Sequence, residues 1–221
     1  MIPLPSCSSL PIVMNRMDNA LSDERDKQQF RSAMPMISST WRLWAWVAIA
    51  VHFLILLFLG LSRHWAYLTS LNDLGVFDQA VWGTMQGDWF LNTSNHFSKP
   101  LNWLGFHFNL ILLAFVPLYW VNPSPEWFAL AQALALSLAA WPIFLFASNA
   151  CQSEKSAFIW ALVYLFNPLV LNAAAWDFHP VSLAVPFVTL GMFAIAREKK
   201  NTLYCCCFAL LLIFVILQFD L

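Results

Sequence analysis

Six stretches of this chain run for about 20 residues or more without a Lys, Arg, Asp or Glu, the length needed to cross a bilayer's hydrocarbon core as a helix. They are Leu43 to Ser62, Pro100 to Pro125, Trp127 to Ser153, Ser156 to Trp176, Phe178 to Ala196 and Asn201 to Phe219. Such runs exclude an ordinary soluble domain. Hydrophobic residues make up 60% of the 221 positions and charged residues 10%, against roughly 45–50% and 25% in soluble proteins. The 12 Trp and 20 Phe suit a chain whose rings sit where hydrocarbon meets headgroups. Eleven basic and twelve acidic side chains leave a net charge of -1, so no basic field exists to hold nucleic acid. The fold class expected is all-α, a polytopic transmembrane helix bundle, with membrane lipid as its first partner.

Residues 1–42 differ from the rest, with five basic and four acidic side chains and prolines at 3, 5 and 11. They read as a disordered cytoplasmic tail, and residues 43–221 as one membrane domain. A secretory signal needs a short apolar core ahead of a small-residue cleavage site, whereas the first apolar core here begins only at Leu43 and is long enough to span, so it reads as a signal anchor and not a removed signal. Phe106 to Val121 is apolar but short, and it contains Pro117. If it spans, Lys155, Arg197, Lys199 and Lys200 fall on the wrong face. If it lies in the interface as a juxtamembrane helix, nine of the eleven basic residues are inside, as the positive-inside rule asks. The second arrangement gives about five spans in a plasma (inner) membrane, N-terminus cytoplasmic: Leu43 to Leu61, Trp127 to Ala147, Ala157 to Ala175, Val181 to Ala196 and Leu203 to Phe219. It also gathers Asp73, Asp78, Asp88, His107, Asp177, His179 and Asp220 on or near one outer face.

Two constellations stand out there. Asn72-Asp73-Leu74-Gly75-Val76-Phe77-Asp78-Gln79 carries apolar residues at helical spacing through Met85, predicting a short amphipathic helix opened by Asp73 and closed near Gly87. An N-cap role is the commonest one for such an Asp, and a solvated face is the bland reading of Asp78. Trp176-Asp177-Phe178-His179-Pro180 sits between two apolar runs. Ionisable groups beside hydrocarbon are costly enough to be functional candidates, although an interfacial turn explains them equally well. His107, in Gly105-Phe106-His107-Phe108, is by itself an amphipathic anchor. Asp and His from separate loops could hold a divalent cation, but no His-x-x-x-His or Cys-x-x-Cys spacing demands one. Cys7, Cys151 and Cys205 to Cys207 all fall on the cytoplasmic side, so no disulfide framework is implied.

Asp73-Leu74-Gly75-x-Phe77-Asp78-Gln79, Gly105-x-His107-Phe108, Pro117-Leu118-Tyr119, Pro123-Ser124-Pro125 and Asp177-Phe178-His179-Pro180, taken in this order, resemble the pattern of a family of bacterial and archaeal polytopic membrane proteins known as a domain of unknown function. The resemblance runs from about Leu68 to the C-terminus. That family is grouped with the GT-C glycosyltransferases, which place juxtamembrane helices in a large first outer loop and open the first of them with an acidic residue. Asp73 matches that position, and Gly87-Asp88-Trp89 resembles the segment after it. GT-C enzymes often carry an Arg near the start of the second span, where this chain has Gln132. The resemblance implies a GT-C-like fold and transfer of a sugar from a polyprenyl-phosphate donor to an acceptor on the outer face. Asp73 would be the catalytic base, with Asp78, Gln79, His107, Asp177 and His179 binding substrate or supporting it. A multi-pass transporter is the competing class, for which Asn167-Pro168 and Gln132 are the relevant polar features; a non-catalytic membrane scaffold is another. GT-C proteins have more spans than this chain offers, so the expectation is a chain truncated at its C-terminal side.

Overall fold

The computed structural model describes residues 39–93 and 100–196. Most of the expected tail, Lys99, the Arg197 to Lys200 turn, the fifth expected span and Asp220 lie outside the described residues. Helix α1 spans Ser39–Trp65, four residues beyond the apolar run at one end and three at the other. Its buried positions, Ala45, Ile49, His52 and Leu56, recur every three or four residues and make one face. Leu43, Trp44, Val47, Val51, Leu54 and Phe58 lie exposed on the rest of the helix, a surface that suits lipid and not water.

Helices α4 (Glu126–Leu138) and α5 (Ala140–Cys151) continue one another as a second apolar rod from Glu126 to Cys151, also long enough to cross a membrane. Gln152, in the left-handed conformation at φ 49°, ends it. Ser153 then caps α6 (Glu154–Leu165) by accepting from the Ser156 amide. The expected span from Ala157 to Ala175 is broken. Pro168 has no amide hydrogen to continue α6, and the Asn167 side chain caps a new helix, α7 (Pro168–Ala175), by accepting from Leu169 N. The two helices meet at a 42° bend. Helix α8 (Val185–Ala196) follows a tight turn of helix over Pro180–Ala184. Among the described residues two helices are long and apolar enough to span, three if the bent pair is one span.

Alanines line the seam between these helices: Ala140, Ala157 and Ala161 pack near Ala45, Ile49 and Phe144, while Ala133 and Ala174 pack near Leu56. Small side chains let backbones approach closely. A methyl group added at Gly60 would lie 3.3 Å from the Ala129 methyl. Polar links cross the seam as well, among them His52 Nδ1 to Ser137 Oγ at 2.8 Å, Arg42 Nε donating to Glu154 Oε1 at 3.1 Å and the Tyr164 hydroxyl donating to the Leu136 carbonyl at 2.9 Å.

The segment between α1 and α4 folds over the end at which α1 finishes. It holds a wide turn of π-helix over Leu71–Gly75, α2 (Val76–Gln86), a two-residue antiparallel pairing of β1 (Leu91–Asn92) with β2 (Leu101–Asn102), and α3 (Val116–Val121). A 3-10 turn over Leu110–Phe115 leads into α3. Leu112, Phe115 and Tyr119 of that stretch are buried in an aromatic core with Phe77, Phe90, Phe128 and Phe178. Within Phe106 to Val121 the helical part thus begins only at Leu110, and one face of it is buried in protein.

Candidate functional site

Asp177 organises the end of the bundle. Its side chain is 3% exposed, and it follows α7 directly. Oδ2 accepts a hydrogen bond of 2.6 Å from the backbone N–H of Ser70, 107 residues earlier. Oδ1 lies 3.5 Å from Nη2 of Arg63, near the end of α1. The same Arg63 nitrogen donates to the Leu68 carbonyl at 3.1 Å, across a turn in which Tyr67 takes φ 58°. A buried carboxylate needs both a countercharge and donors, and here one loop supplies a donor and one helix end the charge.

That anchorage sets the turn carrying Asp73. The side chain of Ser70, not of Asp73, caps it by accepting from Asn72 N at 3.1 Å, and the Ser70 carbonyl accepts from Gly75 N. The helix closes at Gly87 as its spacing predicts, with φ 102°, but the expected opening by Asp73 is corrected: the cap lies three residues earlier. Asp73 is left half-buried in the first turn, and among the described residues no side chain or amide donates to its carboxylate.

Asp177-Phe178-His179 is held from a second side by Gln132 of α4. Its amide nitrogen donates to the Ala173 carbonyl at 3.1 Å, and its oxygen accepts from His179 N at 2.9 Å. Both polar ends of this buried side chain are therefore engaged, one by α7 and one by the turn that follows it. The His179 ring nitrogen Nδ1 sits 2.8 Å from the Asp177 carbonyl, and the ring is exposed.

The other expected residues make separate contacts. Asp78 accepts from the hydroxyl of buried Tyr119; burial, with the carboxylate beside it, raises the phenol above its ordinary range. Gln79 binds both the amide and the hydroxyl of Thr93. His107 lies against the Trp103 indole, ring centres 4.6 Å apart. What connects these groups is the aromatic floor beneath them. Phe77 meets Phe178 edge-on at 5.7 Å and Trp103 at 6.0 Å, and Phe178 also packs on Phe128 at 4.8 Å. Each such pair is worth about 0.5–1.5 kcal/mol beyond its buried area, and Phe77 and Phe178 are the chain neighbours of Asp78 and Asp177.

Between α1, α4 and the Asp177 turn lies a small open cleft, with about 30 Å³ of room for water-sized groups, lined by Arg63, Leu74, Gln132 and Asp177. Glu126, which accepts from the Trp65 indole at 2.8 Å, closes one side. Sequence reasoning passed over Arg63, Ser70 and Glu126, since nothing local marks which distant group each will meet. Among the described residues no group of three His, Cys, Asp or Glu side chains is placed to hold a metal ion.

Comparison with known proteins gives one family: residues 63–215 match the model of a family described as "Predicted membrane protein (DUF2079)". No curated protein and no solved structure matches the chain.

Proposed function

The chain belongs to the DUF2079 family of predicted membrane proteins, and from that premise we propose that it is a GT-C-like membrane glycosyltransferase, moving a sugar from a polyprenyl-phosphate donor to an acceptor hydroxyl on the outer membrane face. Asp73 is the general base in this reading. The observation that carries it is the state of Asp73: relieved of capping by Ser70, without a donor among the described residues, and next to cleft-lining Leu74 on a turn tied to the bundle through Asp177. A base must come within ~3 Å of the proton it removes or act through one water, and a carboxylate already spent on a cap is poorly suited to that. Asp177 and Gln132 act as positioning residues. Asp78, Gln79, His107 and His179 orient the acceptor in this reading.

The test is transfer from a radiolabelled polyprenyl-phosphate sugar by membranes containing the full protein. Replacing a general base removes about 10²–10⁴-fold of rate, so Asp73→Asn should fall by that factor while Asp73→Glu keeps part of the activity. Parental rates in Asp73→Asn would remove the base assignment. The bend at Asn167-Pro168 and the buried Gln132 favour a second reading, a transporter with polar groups at a broken helix. Solute flux in proteoliposomes, without any glycan transfer, would establish that reading instead.

A further inference from the structure

Helix α1 runs unbroken through the bundle, but its neighbours do not. The α4–α5 rod is interrupted at Ala139, three residues before Pro142, whose missing amide leaves the Leu138 carbonyl without its helical donor. Helix α6 gives way to α7 at Asn167, where the Leu169 amide donates to the Asn167 side chain and is lost to the Leu165 carbonyl four residues before it. Each interruption lies near the middle of its rod, and His52 is the central residue of α1. Polar groups join the three at that level. His52 Nδ1 lies 2.8 Å from Ser137 Oγ on the last turn of α4, the released Leu165 carbonyl lies beside the buried imidazole, and Tyr164 donates to the Leu136 carbonyl at 2.9 Å. Nε2 of His52 completes no hydrogen bond. Apolar packing divides here too: Phe144, Ala147, Ala157 and Ala161 unite α5 with α6, whereas Ala133, Leu136 and Ala174 unite α4 with α7, which Gln132 also ties through Ala173. The described bundle is thus two half-bundles on one continuous shaft.

The cleft belongs to the second half, between α1 and the α4–α7 pair, and it has room for water-sized groups only. Nothing larger enters unless α4 and α7 part from α1. The fastening at its mouth is loose: Arg63 and Asp177 approach to 3.5 Å, where a tight charge-assisted bond is about 2.7–2.9 Å, and neither Arg63 Nε nor Asp177 Oδ1 completes a hydrogen bond. We propose that the level of His52 is a hinge on which α4 and α7 swing as one body away from α1 to open the cleft, and that His52 is the latch holding it closed. Joined to Ser137 of α4 and resting against the end of α6, the imidazole pins the moving half both to the shaft and to the fixed half. Ser70 travels with Asp177, because residues 66–69 separate it from the end of α1.

The experiment measures distances between spin labels by double electron–electron resonance, on the full chain in lipid nanodiscs. One label pair spans the cleft half, at the exposed positions Phe58 of α1 and Asn172 of α7; the control pair spans the other half, at exposed Val47 of α1 and Ile159 of α6. His52→Leu and Ser137→Ala should each raise the ratio of a longer to the shorter Phe58–Asn172 distance about tenfold, the factor for one lost buried hydrogen bond, with the control distance unchanged. His52→Gln, which keeps a donor and an acceptor, should stay near the parent. Pro168→Ala restores an amide to the break and should shift the balance the other way. A Phe58–Asn172 distance unmoved by the first two substitutions overturns the proposal, as does a longer share that Pro168→Ala raises. Widening shared by both pairs also overturns it, since that is general loosening and not a hinge. Ser137→Ala and Pro168→Ala leave the imidazole in place, so the test stands even if His52→Leu does not fold. No transfer or flux enters the measurement, so the hinge and the Asp73 assignment fail separately.

Discussion

Tyr119 donates its phenolic hydrogen to Asp78, a carboxylate that lies 41 residues earlier in the chain. Hydrogen bonds to charged groups contribute roughly 1.5–3 kcal/mol, so Tyr119→Phe should destabilise the protein by about that much while leaving the ring in its place in the aromatic core. The alkaline side gives a second readout. A phenol raised above its ordinary 10.0 in the folded state contributes stability that is complete below pH 10 and is lost as pH climbs toward the raised value. The melting temperature of the parent should therefore fall above pH 10 more steeply than that of Tyr119→Phe, and parallel curves would show that the contact carries no such weight. Neither residue's partner is visible locally. Asp78 reads as a solvated helix face because its spacing places it one turn past Asp73, and only the return of α3 brings a hydroxyl to it. Asp177 was more legible, because a carboxylate between two apolar runs is costly wherever it goes; that the solution is an amide at Ser70 and a guanidinium at Arg63 depends on packing. His52 was passed over, although an ionisable ring inside an apolar run is its own signal, and it is buried against Ser137.

The element most fully legible was α2. Its apolar spacing and the glycine after it predict a short amphipathic helix closing near Gly87, and Gly87 indeed takes φ 102° there, with its amide returning to Gly83 and Thr84. A Cβ at this position would meet nothing within 4 Å, so the cost of a side chain is the backbone conformation alone. Gly87→Ala should cost about 1–2 kcal/mol, and Gly87→Asn less, since Asn tolerates the left-handed region. Thermal unfolding in detergent measures both, and an Ala variant as stable as the parent would mean the closure is not needed. The longer elements were legible in extent but not in continuity. Charge-free runs locate α1 and the α4–α5 rod to within a few residues because hydrophobic length is a local property. The break between α6 and α7 depends on Pro168, whose effect on a helix was visible in the sequence, whereas the 42° bend was not. The start of α2's preceding turn was misplaced by three residues because Ser70, Asn72 and Asp73 are all competent caps, and the anchoring of Ser70 by Asp177 decides among them.

For the whole molecule the expected topology makes a claim that helix packing leaves open, namely which ends face which side of the membrane. Nine of eleven basic residues fall on one side if the segment between α1 and α4 stays at the other. Reporter fusions at Thr93 and at Cys151 check this directly, with Thr93 expected outside and Cys151 inside; the reverse result would put Asp73 and the Arg63/Asp177 cleft on the cytoplasmic face and remove the outer-face acceptor. Finally, the bond from Asp177 to the Ser70 amide ties together positions 107 residues apart. A ribosome adding about 5–20 residues per second needs roughly 5–20 s to make that length of chain. During that interval the turn bearing Asp73 has been synthesised but its anchor has not, so protease sites around Tyr67 to Gly75 should be open on stalled nascent chains ending before Trp176 and closed once Asp177 has emerged.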